Sequence, residues 1–353
     1  MRKFYRSVAF SKTPLKSQFR FKDKFQILPI DSKLAPQSPY NKDFPFFIEY
    51  FVDFDKNRTP LDIDIFDDLT AQQVAEFEVL NILSVLSNHR FFKYKSNRDQ
   101  WGIMTPNCGF DKLTHEQTDL YNDQYSSWTF GAYVYPGLRQ ELKITEYTKL
   151  LYPETRFISP YYEYFTNNPV EDEKGEITFP STIKASLDNY YSLSTKTLKK
   201  IKASVALICD GIDISDYKRS LAFLSYVSAI ESFVGLEYSD KRVEFDCQNC
   251  KTVTNSPFTC QKCGRPIWGI KIKFKEFLKK FVAAAGDSEE VYNKIYNLRC
   301  KIAHNGQLFI GDYEFSRDHI DKKEDDWLMR LKTLQLARLS LTNWLRYEKK
   351  ASS

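Results

Sequence analysis

Tyr296-Asn297-Leu298-Arg299-Cys300-Lys301-Ile302-Ala303-His304-Asn305-Gly306 is the stretch on which the reading of this chain turns. Val291, Ile295, Leu298 and Ile302 recur at three- and four-residue steps, the period of a helix that turns one face to a core. Ser288 suits its start, and Asn305-Gly306 suits its end, where a left-handed backbone is wanted. Arg299 and His304 both stand off this apolar stripe. Five positions along an ideal helix turn by about 140°, so the two side chains are not stacked. They are expected to converge only if the helix end departs from ideal geometry, and His304 sits where such a departure would fall.

Outward from this segment the same period continues. Leu198, Ile201, Val205 and Ile208 predict a helix ending near Gly211, and Phe223, Val227, Ile230 and Val234 a second ending at Gly235. Phe274, Phe277, Leu278 and Phe281 predict a third ending near Gly286, and Leu328, Leu331, Leu334, Leu341 and Leu345 another after the quoted segment. Five amphipathic helices in one stretch of chain describe a bundle. Before about residue 180 the pattern is different. Phe46, Ile48, Tyr50, Val52 and Phe54 alternate with period two, Phe19, Phe21 and Phe25 suggest an earlier strand, and Trp128 to Tyr135 a later one. One helix interrupts the strands, with Thr70 and Gln73 as a capping box ahead of Val74, Phe77, Leu80 and Leu83. The acidic, turn-rich run TNNPVEDEKGEITFP at 166–180 is the best boundary. The expected organisation is therefore α+β: a strand-rich N-terminal domain over 1–180, then an all-α bundle over 181–353.

A chain of 353 residues is long enough for two cores, and its net charge of +5 permits a nucleic-acid partner without demanding one. No run of about 18 apolar residues is apparent, and the N-terminus lacks the apolar region of a secretory signal, so neither a membrane span nor export is expected. Of the seven cysteines, Cys108, Cys209 and Cys300 are isolated, while Cys247, Cys250, Cys260 and Cys263 cluster. That distribution favours a metal site in a reducing cytoplasm over a disulfide framework. The pattern Cys247-x2-Cys250-x9-Cys260-x2-Cys263 places two CxxC knuckles within an insert at 245–268, and two knuckles close a four-sulfur zinc site. Four thiolates also suit iron, but nothing else in the sequence implies redox work. Four protein ligands leave no open position, so the expected zinc is structural and supplies the folding energy that so short a segment lacks. Lys251, Lys262 and Arg265 flank the knuckles and leave contact with RNA or protein open.

The chemistry suited to Arg299 and His304 is RNA transesterification. A 2′-hydroxyl must lose a proton, the 5′-oxygen must gain one, and charge on phosphorus must be stabilised. Histidine moves protons near neutral pH, and the arginine fork matches phosphate oxygens. An Arg and a His five apart can equally be a helix whose last turn carries a dipole-favoured His. The context adds a resemblance. An Arg-x4-His followed by Asn-Gly in the penultimate helix of a small bundle, with the upstream helix SLAFLSYVSAIESFVG and a four-Cys insert between them, resembles the ApeA-like branch of the HEPN superfamily over roughly 190–350. That resemblance implies a homodimer in which two such motifs face one another. It further implies metal-independent endoribonuclease activity leaving a 2′,3′-cyclic phosphate, and use in anti-phage defence or as a toxin. It assigns phosphate binding to Arg299, proton transfer to His304, and orientation of Arg299 to Glu231, which could instead be a solvated flank of its helix. The family often has Asn or Asp after the motif Arg; here Cys300 stands there, and a thiol is a weak hydrogen-bonding group. An enzyme of this kind must be kept quiet, so the N-terminal domain is expected to gate it or to sense a trigger, for instance a phage-derived one.

Other signals are weaker. His89, His115 and His319 have no partners at ligand spacing. The Lys runs around 196–202 and 271–280 fit solvated helix faces or an RNA backbone. The aromatic run PYYEYF at 160–165 suits packing or base stacking. No P-loop, GxGxxG or GxSxG occurs, so nucleotide-driven and serine-hydrolase readings have no support. Two rivals to the nuclease remain: a non-catalytic RNA- or protein-binding HEPN scaffold, and a zinc-dependent DNA-binding regulator.

Overall fold

A computed structural model describes residues 2–31, 43–54, 65–93, 141–166, 173–239, 269–282, 289–313 and 320–351, and in the cysteine-rich insert residues 245–246, 250–251, 253–254, 260 and 262–264. The fold is mixed α+β. The chain divides into two compact units, Met1–Ser159 with Pro169–Ser181, and Pro160–Asn168 with Thr182–Ser353. The short 160–168 segment thus belongs to the helical unit, although it begins ahead of the turn-rich run at 166–180 that marks the boundary in the sequence.

The first unit is built on a five-stranded antiparallel sheet of β1 (Arg2–Ser11), β2 (Phe19–Phe21), β3 (Phe25–Pro29), β4 (Phe44–Asp53) and, after helix α1 (Ile65–Val85), β5 (Phe91–Phe92), in the order β2-β3-β4-β1-β5. β1 and β4 pair along their whole length, with Tyr5 opposite Tyr50 and Arg6 opposite Glu49. Phe46, Ile48 and Tyr50 are buried as their period predicts, but so are the intervening Phe47 and Glu49. Both sheet faces are covered: α1 packs on β4, and Leu142 and Leu150 lie against a cluster of Val8, Phe10, Leu28 and Phe47. Glu49 is tolerated on that second face because its oxygens are fully engaged. It accepts from Arg6 Nε (2.8 Å) and Nη2 (2.5 Å), Gln26 Nε2 (2.7 Å), and both the backbone N–H and the hydroxyl of Thr148. Breaking such a buried pair from one side costs about 3–5 kcal/mol. A second pairing, β6 (Phe157–Ile158) parallel to β7 (Phe179–Pro180), brings Phe179 against Phe19 and Phe91. α1 begins five residues before Thr70, which is therefore inside the helix and not its cap; Asp68 in the first turn supplies the negative charge a helix start favours. Val74 is 60% exposed, and Val79, Leu80, Ile82 and Leu83 carry the buried face. The Trp128 to Tyr135 segment lies outside the described residues.

The second unit is helical: α2 (Tyr161–Thr166), α3 (Ile183–Ser192), α4 (Thr195–Ile214), α5 (Arg219–Glu237), α6 (Ile270–Val282), α7 (Glu289–Asn305) and α8 (Ile320–Ala351), with the hairpin strands β8 (Phe245–Asp246) and β9 (Val253–Thr254) in the insert. α2 and α3 were not legible as helices in the sequence; the aromatic run at 160–165 forms α2, buries Tyr164 and Phe165, and ties Tyr161 to Asn343 of α8 by a 2.8 Å hydrogen bond. α5 is central and packs on α4, α6, α7 and α8. It is also the one described helix long and apolar enough to cross a membrane, and its Phe223, Val227, Ile230, Phe233 and Val234 are spent in the interior of the unit. α4 and α5 do not stop at Gly211 and Gly235 as expected. Gly211 lies inside α4 because the ring of Tyr226 packs there: a Cβ would sit 2.5 Å from Tyr226 Cε1. Leu328 is exposed, and the buried part of α8 begins further on, around Thr333 and Leu334.

Candidate functional site

α7 carries the predicted pair, and its buried face is not the predicted one. Tyr292, Ile295, Tyr296 and Ile302 are buried, while Val291 and Leu298 are only half-buried. Tyrosine rings have more apolar surface to hide than valine, and they rotate the helix about its axis. The steps Tyr292, Tyr296, Arg299 then place Arg299 on the edge of the core-facing stripe, not off it. The phenol of Tyr296 is held above its usual range, first by burial and then by the nearby Glu231 carboxylate.

This rotation points Arg299 at α5. Its Nη2 donates to Glu231 Oε2 at 3.3 Å, with 24% of the arginine and 17% of the glutamate side chain exposed. Its Nη1 lies 3.0 Å from His304 Nε2. A guanidinium can only donate, so His304 Nε2 is the acceptor in this contact. The three side chains form one line from a half-buried carboxylate, through the guanidinium, to an exposed imidazole. The pair meets without a break in the helix: α7 continues through Asn305, and the long arginine side chain covers the rise. Departure from helical geometry comes just after, at Gly306 with φ +66°, where the Gln307 N–H donates back to the Lys301 carbonyl at 3.2 Å.

The chain beyond His304 is anchored to the start of α5. The N–H of Phe309 donates to Ser220 Oγ (2.7 Å), and its ring packs edge-on to Phe223. Asp312 accepts the N–H groups of Arg219 (2.7 Å) and Ser220 (2.8 Å), capping a helix whose own N-cap residue, Lys218, offers no side-chain bond. A cap of this kind contributes about 1 kcal/mol, and here it fixes the chain leaving the motif to the helix that holds Glu231. Sequence reasoning did not find Asp312 or the tyrosine face, since neither has a local signature. Cys300 is half-buried beside Tyr296. Exposed Lys301 precedes His304 by about one turn, and Lys271 of α6 donates to Asn297 at 2.8 Å. Of the other histidines, the described His89 takes no part, its Nε2 accepting the Thr178 N–H at 3.2 Å in the first unit, and His115 and His319 lie outside the described residues.

In the insert, the Sγ atoms of Cys250, Cys260 and Cys263 lie within 4.8 Å of one another. Cys250 and Cys260 are 3.4 Å apart, too far for a disulfide bond. Tetrahedral thiolates at the usual zinc–sulfur length stand about 3.8 Å from each other, so the three sulfurs fit the edges of such a site. The backbone supports it. Lys251 and Gly264, each directly after the second cysteine of its CxxC, are both left-handed, at φ +55° and +69°. The amides of Cys263 and Lys262 point their hydrogens at the Cys260 sulfur. Cys247, the fourth expected ligand, lies outside the described residues.

No protein-family model matches the chain, and no curated protein and no solved structure is similar to it.

Proposed function

We propose that the second unit is a HEPN-type endoribonuclease domain that cleaves RNA by metal-independent transesterification, with Arg299 and His304 as catalytic residues and Glu231 as the positioning residue. The support is the Glu231–Arg299–His304 line, which runs from a half-buried anchor to an accessible imidazole. A phosphate entering from solvent would take the guanidinium's Nη1 and release the His304 Nε2 lone pair beside it. Nε2 then removes the 2′-hydroxyl proton as the 2′-oxygen bonds to phosphorus, Arg299 neutralises the charge gathering on the non-bridging oxygens, and the bond to the 5′-oxygen breaks. The 5′-oxygen takes its proton from the imidazolium of a second motif, contributed by another copy of the chain in a homodimer. Lys301 and Lys271 suit phosphates on either side of the scissile one. In this reading the cysteine cluster holds a structural zinc with Cys247 as the fourth ligand, the free thiols suit a reducing cytoplasm, and the first unit gates the enzyme in anti-phage defence or toxin action.

The test is incubation of the purified chain with total RNA in EDTA, beside Arg299→Ala and His304→Ala. Fragments ending in 2′,3′-cyclic phosphate from the wild type alone are the expected result. Equal survival of RNA with wild type and variants, or fragments ending in a 3′-hydroxyl, overturns the reading.

A further inference from the structure

One set of hydrogen bonds ties together the start of α5, the short turn Ile310–Asp312 and the first part of α8. Asp312 caps α5 through the N–H groups of Arg219 and Ser220, the N–H of Ile310 donates to Asp326 Oδ2 at 3.0 Å, and Arg330 donates to the Ser215 carbonyl. Large apolar side chains gather on the outside of this junction. Tyr217 and Leu221 flank the start of α5, Leu308 and Tyr313 flank the turn, and Trp327 and Leu328 follow Asp326 on α8. Each is one or two residues along the chain from an anchored position, and each is 43–65% exposed.

Eleven such side chains are exposed among the described residues of the second unit, and six of them fall here, so the junction is not an average piece of surface. Single exposed apolar residues need no explanation, whereas a cluster of them marks a contact surface. Side chains of this size carry roughly 150–250 Å² each. At the exposure they keep, the six leave on the order of 600 Å² of apolar surface in water, the upper end of what a monomer shows. It is most of the roughly 800 Å² that each partner buries in a stable interface.

The charges beside the cluster narrow the partner. Exposed Asp216, Glu324 and Asp325 border it together with exposed Lys218 and Lys322. The carboxylates would repel a polyanion such as RNA. The mixed signs instead suit a face that meets its own copy, because under twofold symmetry a cation of one copy meets a carboxylate of the other, and the reverse. A largely apolar centre with a polar rim is also the make-up of homodimer interfaces. We infer that this face is where two copies of the chain pair. The inference rests on the proposed cleavage only for its consequence. Leu308 stands four residues beyond His304, so twofold pairing here sets both motifs at the border of one interface, where the proposed reaction needs its second imidazolium.

The experiment is sedimentation velocity of the full-length chain at micromolar concentration without RNA, so its outcome does not depend on whether the chain cleaves RNA. A dimer is expected. Leu221 is the third residue of α5, and Leu221→Asp puts a carboxylate where the helix dipole favours one. That variant should keep its thermal unfolding while dimerisation weakens at least about tenfold. Tyr313→Asp should do the same, and it decides the matter if Leu221→Asp does not fold. Ile272→Asp, at the equivalent third position of α6, charges an exposed apolar residue outside the cluster and should leave the dimer intact. A monomeric wild type, wild-type dimerisation by a folded Leu221→Asp or Tyr313→Asp chain, or loss of the dimer in a folded Ile272→Asp chain would each overturn the inference. A dimer lost in Leu221→Asp and Tyr313→Asp, with no cleavage by the wild type, supports the pairing face and counts against the nuclease alone.

Discussion

Replacing Glu231 by Gln tests whether the line of side chains at the end of α7 works as a unit. At 3.3 Å the two charges attract by about 5 kcal/mol at an effective dielectric of about 20. That gross figure overstates the effect, because the side chains stay 24% and 17% exposed and water screens them. The contact of Arg299 with His304 is made through Nη1 and not through the Nη2 that meets Glu231. A net loss of about 1 to 1.5 kcal/mol is therefore expected. If that loss appears in the transition state of the proposed RNA cleavage, the reaction slows about tenfold. The assay is single-turnover cleavage of a labelled RNA at saturating enzyme, with KM and thermal unfolding measured in parallel. A positioning role predicts a tenfold lower rate, KM changed by less than about twofold, and partial rescue by Glu231→Asp. A merely structural role would lower the melting temperature and leave the rate of the proposed cleavage by the folded chain intact. A folded Glu231→Gln chain that cleaves at the wild-type rate refutes the coupling.

Native mass spectrometry should find one zinc ion per chain, lost in Cys260→Ser, with chelation lowering the unfolding temperature because the metal stabilises only the folded insert; a metal-free chain of unchanged stability counts against the site. Gly211→Ala puts a Cβ 2.5 Å from Tyr226 Cε1 and 3.2 Å from the Ala222 carbonyl oxygen, so overpacking should cost about 1–3 kcal/mol in urea unfolding, and an unchanged midpoint would contradict the close approach of α4 and α5. Glu289 of α7 accepts from Lys275 (2.8 Å) and Lys279 (2.6 Å) of α6, and these bonds hold its carboxyl down to about 2. Its folded value lies below the unfolded 4.5, so the clamp contributes above that pH and fades as pH falls towards 2. The stability difference between wild type and Glu289→Gln should be small, shrink over that acid window and shrink again in high salt, whereas a difference that grows on acidification would show the opposite sign.

The local periods carried much of this molecule into view. Alternation at Phe46, Ile48 and Tyr50 marks β4, and three- and four-residue spacing marks most helices of the second unit, because strand and helix each expose one face at a fixed angular step. Two features escape that rule. Gly211 signals a helix stop and close helix packing with the same letter, and only the ring of Tyr226 tells them apart. The tyrosines of α7 count as polar or apolar according to what covers them, so the stripe through Val291 and Leu298 is rotated from the buried one.

Composition and spacing alone determined the α+β class, the paired CxxC knuckles and the presence of an arginine and a histidine near one helix end, since each depends on neighbours along the chain. Which carboxylate meets Arg299 and which residue caps α5 were decided by tertiary structure. Their partners are distant in sequence, and a charge chooses its counter-charge only after packing has removed the water that would otherwise satisfy it.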